Sequence, residues 1–137
     1  MKTRQPILMV EDDEVDVMTM RRALKDLHIA NAFHVAGDGE EGLQVLARIE
    51  RPAIILLDIN MPRMNGLEFL RLIKADQKYT RIPVVMLTSS KEESDRFAAF
   101  GLSVAGYMIK PADYLQLVSV VRTIDLYWTL SELPPDD

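Results

Sequence analysis

Five short apolar runs, separated by segments with helical spacing, constrain this chain more than any other feature. They are Ile7 to Val10, Ala32 to Ala36, Ile54 to Leu57, Val84 to Leu87 and Ala105 to Ile109. Strand alternating with helix leads to a parallel sheet flanked by helices. The first, third and fourth runs are apolar throughout, which suits strands covered on both faces, so they are expected at the centre of the sheet.

The intervening segments each carry one apolar stripe, such as Val17, Met20, Leu24 and Leu27, or Leu67, Leu70 and Ile73 with Phe69 beside them. Ser90-Lys91-Glu92-Glu93 has the spacing of a capping box, and Asp38 precedes a second helix as an acceptor for its first amides. Pro52 and Pro83 stand just before strands, where they remove no central ladder donor. A last helix is expected from Ala112 to about Leu130, with Leu117, Val121, Ile124 and Trp128 as its stripe and Val118 beside it.

A length of 137 residues and 48% apolar content suit one domain with one buried core. A single domain over 1–137 with no output module is therefore expected. The net charge of −5 disfavours nucleic acid and anionic lipid as partners. Without cysteine, thiolate chemistry and Cys-based metal sites are excluded, and His28 and His34 are too few for most zinc sites. Any metal should have oxygen ligands. Only four apolar residues follow the charged amino terminus before Glu11, too few for a signal peptide or a span, so a cytoplasmic protein is expected.

Ligands of an open parallel sheet gather beyond the carboxyl ends of its strands. There the first run ends in Glu11-Asp12-Asp13, the third in Asp58, the fourth in Thr88 and the fifth in Lys110. Two carboxylates about 4 Å apart at an effective dielectric near 20 repel by roughly 4 kcal/mol, so a cation is needed. A hard divalent ion such as Mg²⁺ takes one or two carboxylates and binds phosphate as well. An Asp carboxylate attacks phosphorus only when the phosphoryl oxygens are neutralised, a task for the ion, Lys110 and the Thr88 hydroxyl. The three consecutive acids leave two metal pairs open, Glu11 with Asp12 or Asp12 with Asp13. Taken singly, each residue has a plainer explanation: Asp58 as a helix cap, Glu11 and Asp12 as solvated acids, Thr88 as a strand residue, Lys110 as a surface lysine, Tyr107 as packing. Their coincidence at one sheet edge favours chemistry.

Glu11-Asp12, Asp58 followed by Met61-Pro62 and Gly66, Thr88, and Lys110-Pro111 together resemble the receiver-domain family of response regulators, over essentially the whole chain. The resemblance implies a doubly wound, flavodoxin-like or CheY-like (βα)5 fold with strand order 2-1-3-4-5. It implies Asp58 as phosphoacceptor and Mg²⁺ held by Glu11, Asp12, Asp58 and the backbone carbonyl of Asn60, with Asp13 left as a helix cap. Thr88 and Lys110 match the family's switch hydroxyl and phosphoryl-binding lysine, Tyr107 its rotamer-switching aromatic, and Pro111 a cis peptide. Such a chain is a signalling switch limited to self-directed phosphoryl transfer and autodephosphorylation. Its partners are a sensor histidine kinase and a downstream protein target or phosphotransfer protein.

A finer similarity lies in the polar Asp76 to Arg81 connection, the Leu87-Thr88-Ser89-Ser90 run, and Asp125-Leu126-Tyr127-Trp128 with Leu133-Pro134. These features are similar to stand-alone regulators that partner bacterial phytochrome kinases. Leu126, Tyr127, Trp128, Leu130 and Leu133 extend past what is needed to cover a sheet, and such apolar surface suits a homodimer or kinase contact.

Rival readings exist in other classes. A haloacid-dehalogenase-type phosphatase needs a second Asp two residues after the nucleophile, where this chain has Asn60, and a cap domain as well. A flavodoxin-type module would place flavin phosphate against the acidic edge, with no Thr/Ser-rich phosphate loop after the first strand. A docking scaffold that has lost phosphorylation need not keep the acceptor-site residues that are all present here.

Overall fold

The computed structural model describes residues 4–130. Its elements alternate as the apolar runs require: β1 (Ile7–Val10), α1 (Glu14–Asp26), β2 (Phe33–Ala36), α2 (Gly39–Arg48), β3 (Ile54–Leu57), α3 (Gly66–Lys74), β4 (Val84–Thr88), α4 (Glu93–Gly101), β5 (Gly106–Ile109) and α5 (Tyr114–Leu130). The five strands form one parallel sheet in the order β2-β1-β3-β4-β5. Residues β1, β3 and β4 are buried along their whole length, as continuous apolar runs demand in a sheet covered on both faces.

Side chains of successive strand residues point to opposite faces, and β3 shows the consequence. Ile55 and Leu57 join Leu8, Val10, Met86 and the α3 residues Phe69, Leu70 and Ile73 in one core. Ile54 and Leu56 join Met9, Leu87, the α1 residues Met20 and Leu24, and the α5 stripe Leu117, Val121, Ile124 and Trp128 in the other. Trp128 is thus a core residue, while Leu126 and Tyr127 next to it are 53% and 60% exposed. The apolar tail beyond residue 130, Leu133 included, lies outside the described residues.

Helix starts follow local chemistry with one exception. Asp13 caps α1 by accepting from Val15 and Asp16 amides, and Asp38 caps α2 by accepting from the Glu41 amide. The expected capping box at Ser90 does not form: α4 begins only at Glu93, with Glu92 as its uncapped preceding residue. Ser90 is buried, and its hydroxyl bonds to Asp95 at 2.7 Å within the first turn instead. A reciprocal box forms in α3, between Asn65 and Glu68.

Two helices end in Schellman turns on non-glycine residues. His28 (φ 57°) closes α1 with Ile29 N–H donating to Leu24 C=O, and Ser103 (φ 63°) closes α4 with Val104 N–H donating to Ala99 C=O. Every peptide bond among the described residues is trans. The cis Lys110–Pro111 bond that the resemblance implied is therefore absent. Three residues separate Lys110 from the start of α5, and the chain turns there with proline in its favoured trans form. Among the described residues no helix is long and apolar enough to cross a membrane.

Candidate functional site

Register decides which strand tips meet. Val10 pairs with Leu57, and the Asp58 amide donates to the Val10 carbonyl at 3.1 Å, so the next residues, Glu11 and Asp58, emerge side by side. Ligand oxygens of Glu11, Asp12 and Asp58 all lie within 4.8 Å of one another. Glu11 and Asp58 are buried, at 2% and 5% exposure, and Asp12 faces solvent. Asp13 is turned to the helix as the cap of α1, so the tertiary structure gathers Glu11 and Asp12 and leaves Asp13 out.

The cationic partner comes from the far strand. Thr88 pairs with Ile109, and the Lys110 amide donates to the Thr88 carbonyl at 2.8 Å, which points Lys110 back over the sheet edge. Its Nζ stands 2.6 Å from Glu11 Oε1, 2.7 Å from Asp16 Oδ2 and 3.6 Å from Asp58 Oδ2. Burial alone would lower the Lys110 pKa. The hydrogen bond to Asp16, the ion pair with Glu11 and the charge of Asp58 outweigh it and hold the ammonium protonated well above the ordinary lysine range.

Glu11 is pushed the other way, up to about 7. Desolvation is the main cause, the Asp58 charge adds to it, and Lys110 with the Asp13 amide opposes both. Asp58 Oδ1 is buried and has no hydrogen-bond partner among the described residues. A buried carboxylate oxygen without a donor is costly unless a ligand supplies positive charge. Oxygen-only donors of this charge fit a hard divalent ion such as Mg²⁺ better than a soft one.

The model of the response regulator receiver domain family matches residues 7–122, a span that contains every strand and each of these side chains. The chain belongs to the response regulator receiver family.

Among its relatives, this receiver is 34% identical over 128 residues to response regulator Rcp1 of Synechocystis sp., across 89% of this chain and 87% of that one. It is similar to the crystal structure of the phosphorylated cyanobacterial phytochrome response regulator RcpA, with a TM-score of 0.89 and 34% identity over 97% of this chain and 100% of that one. The Mn²⁺-bound form of Rcp1 gives a TM-score of 0.86 at 33% identity, over 96% and 99% of the two chains. The bacteriophytochrome response regulator RtBRR is 38% identical with a TM-score of 0.75, over 96% of this chain and 84% of that one.

The remaining expected positions of the receiver lie at the end of β4, in β5 and in the loop after β3. Thr88 is fully buried at the end of β4, and its Oγ1 accepts from the Ser90 amide at 3.2 Å. The Tyr107 hydroxyl donates to the Ser90 carbonyl at 3.0 Å, and its ring lies 6.4 Å from that of Phe100 and beneath the Arg96 guanidinium. Ser90 thereby touches both residues. Asn60 lies exposed two residues after Asp58, in the loop that runs back to Gly66.

Asp16 was not singled out in the sequence, because 94 residues separate it from Lys110. The only clue was its place in the first turn after the acidic run. Arg63 was also missed: it pairs with the Asp38 carboxylate across 25 residues and ties the loop after β3 to the start of α2.

Proposed function

We propose that this chain works as a phosphorylated switch in a two-component pathway, taking a phosphoryl group onto Asp58 from a phosphohistidine of a sensor kinase. One observation carries the reading: Asp58 presents a buried, unpartnered Oδ1 beside two further carboxylates while its Oδ2 faces a lysine. A carboxylate oxygen attacks phosphorus, the P–N bond breaks, and the imidazole keeps the bonding pair and takes up a proton. Glu11, Asp12, Asp58 and the Asn60 carbonyl would hold Mg²⁺, which neutralises phosphoryl oxygens when bound. Lys110 supplies a second positive charge, and the Thr88 hydroxyl a donor once it turns from the Ser90 amide.

Movement of Thr88 would release the Ser90 amide, and with it the contact that Ser90 makes to Tyr107. Phe97 and Phe100 of α4, 82% and 54% exposed, lie on the side that would respond. The acyl phosphate thus biases two existing arrangements, and output passes through a protein contact or onward phosphate relay. We read the chain as a cytoplasmic single receiver over 1–137. Relatives named as phytochrome and bacteriophytochrome response regulators support a bacteriophytochrome as the kinase. The exposed Leu126 and Tyr127 of α5 support a homodimer contact there.

Incubation with acetyl phosphate and Mg²⁺ followed by intact-mass measurement tests the reading. Wild type is expected to gain one phosphoryl mass, and Asp58→Asn and metal-free samples none. Equal labelling of Asp58→Asn would overturn the assignment.

A further inference from the structure

Lys110 sits closer to Asp16 than to Asp58, at 2.7 Å against 3.6 Å. An ammonium has three N–H donors, and Glu11 and Asp16 both lie within hydrogen-bond range, whereas Asp58 lies beyond it. We propose that Asp16 is a positioning residue that competes with a phosphoryl group on Asp58 for the Lys110 ammonium, and so sets how tightly the site holds that group. The proposal rests on the reading of Asp58 as acceptor and adds a regulator to the same site.

Burial decides which partner gives way. The Glu11 side chain is 1% exposed, and leaving its charge without Lys110 would strand a buried carboxylate. The Asp16 side chain is 35% exposed and can be rehydrated when the lysine leaves. Asp13, not Asp16, accepts from the amides of the first turn, so Asp16 serves its own helix only as one of two acids near the N-terminus. A cavity of about 180 Å³, lined by Asp16, Lys110, Thr19 and Pro111 among others, borders the pair on the side of α1 and α5 and gives water access to the Asp16 carboxylate when the lysine leaves. The helices it joins stay tied elsewhere: Tyr114 of α5 donates to Asp26 of α1 at 2.6 Å, and Arg22 lies over the Tyr114 ring. Exchange of Lys110 from Asp16 to a phosphoryl oxygen therefore leaves α1 docked.

The probe is trifluoroberyllate, a tetrahedral phosphoryl mimic, titrated calorimetrically into the full chain at saturating Mg²⁺. Wild type, Asp16→Asn, Lys110→Gln and the double variant close a double-mutant cycle. Asp16→Asn keeps the shape of the side chain and should bind about fivefold tighter, the scale of losing one competing ion pair of this exposure. In the Lys110→Gln background the gain should shrink to within about twofold, because the competitor no longer has anything to hold. Asp16→Ser, which shortens the side chain, must shift affinity in the same direction as Asp16→Asn. An unchanged or weaker Asp16→Asn, or an equal gain without Lys110, overturns the competition while leaving Asp58 as acceptor. A wild type that does not bind the mimic overturns the reading of Asp58 and this proposal with it.

Discussion

Gly66 lies against the backbone of Asp58 so closely that a Cβ would fall 1.9 Å from the Asp58 carbonyl oxygen. The Gly66 amide donates to the Ile59 carbonyl at 2.9 Å, so the first turn of α3 packs directly on the segment that carries the buried carboxylate. The position of α3 and the position of the Asp58 carboxylate are one construction here.

Gly66→Ala should accordingly cost about 2–3 kcal/mol, the upper range of overpacking, because the clashing atom is backbone and cannot turn aside. Urea unfolding measures this. Mg²⁺ affinity should fall in the fraction that remains folded, since any relief of the clash displaces Asp58.

Glu11 predicts an unusual pH dependence. Its folded pKa is raised from 4.5 to about 7, so between these values the folded protein binds more protons than the unfolded chain. Stability contributed by Glu11 in the metal-free protein is thus fully present below 4.5 and lost as pH rises through 7. The melting temperature of the metal-free wild type should fall over that window, and Glu11→Gln should flatten the fall. Because a ligand carboxylate must be ionised, Mg²⁺ affinity should rise over the same window, with proton release in the calorimeter. A flat profile in wild type would refute the assignment.

Asp38 gives the opposite sign. Its carboxyl is held below 3.8, first by the Glu41 amide and then, against some desolvation, by Arg63. That stability is present above 3.8 and disappears as pH falls through the lower folded value. Asp38→Asn keeps a cap acceptor but loses the ion pair, so its deficit in melting temperature should be largest near neutrality and shrink in acid. Asp38→Ala should lose about 1 kcal/mol more through the missing cap.

His28 and Ser103 hold left-handed conformations at helix ends, where an L side chain is strained. Replacement of either by glycine should stabilise the domain by about 0.5–1 kcal/mol after the added freedom of the unfolded chain is counted. The two sites lie on different helices and share no partner in these turns, so the double variant should show the sum.

Much of the fold was legible because parallel strands buried on both faces read as unbroken apolar runs, and helices between them as single stripes. The runs at Ile7, Ile54 and Val84 began β1, β3 and β4 where expected. Placement at strand tips was enough to nominate Glu11, Asp58, Thr88 and Lys110, since sheet topology alone brings carboxyl ends to one edge. Local capping was harder to read. Ser90 and Asn65 both have the box spacing, and burial of Ser90 in the loop after β4 diverted its hydroxyl to Asp95.

The sequence by itself determined the architecture and the edge at which chemistry gathers, because periodicity and burial act over a few residues at a time. The family resemblance had already favoured Glu11 and Asp12 over Asp13, where strand-tip placement left both pairs open; tertiary structure brings those two beside Asp58, and it alone decided that Lys110 divides its charge among Glu11, Asp16 and Asp58. Those choices depend on strand register and on a side chain reaching across 94 residues, and charges compete by distance in space whatever their separation along the chain.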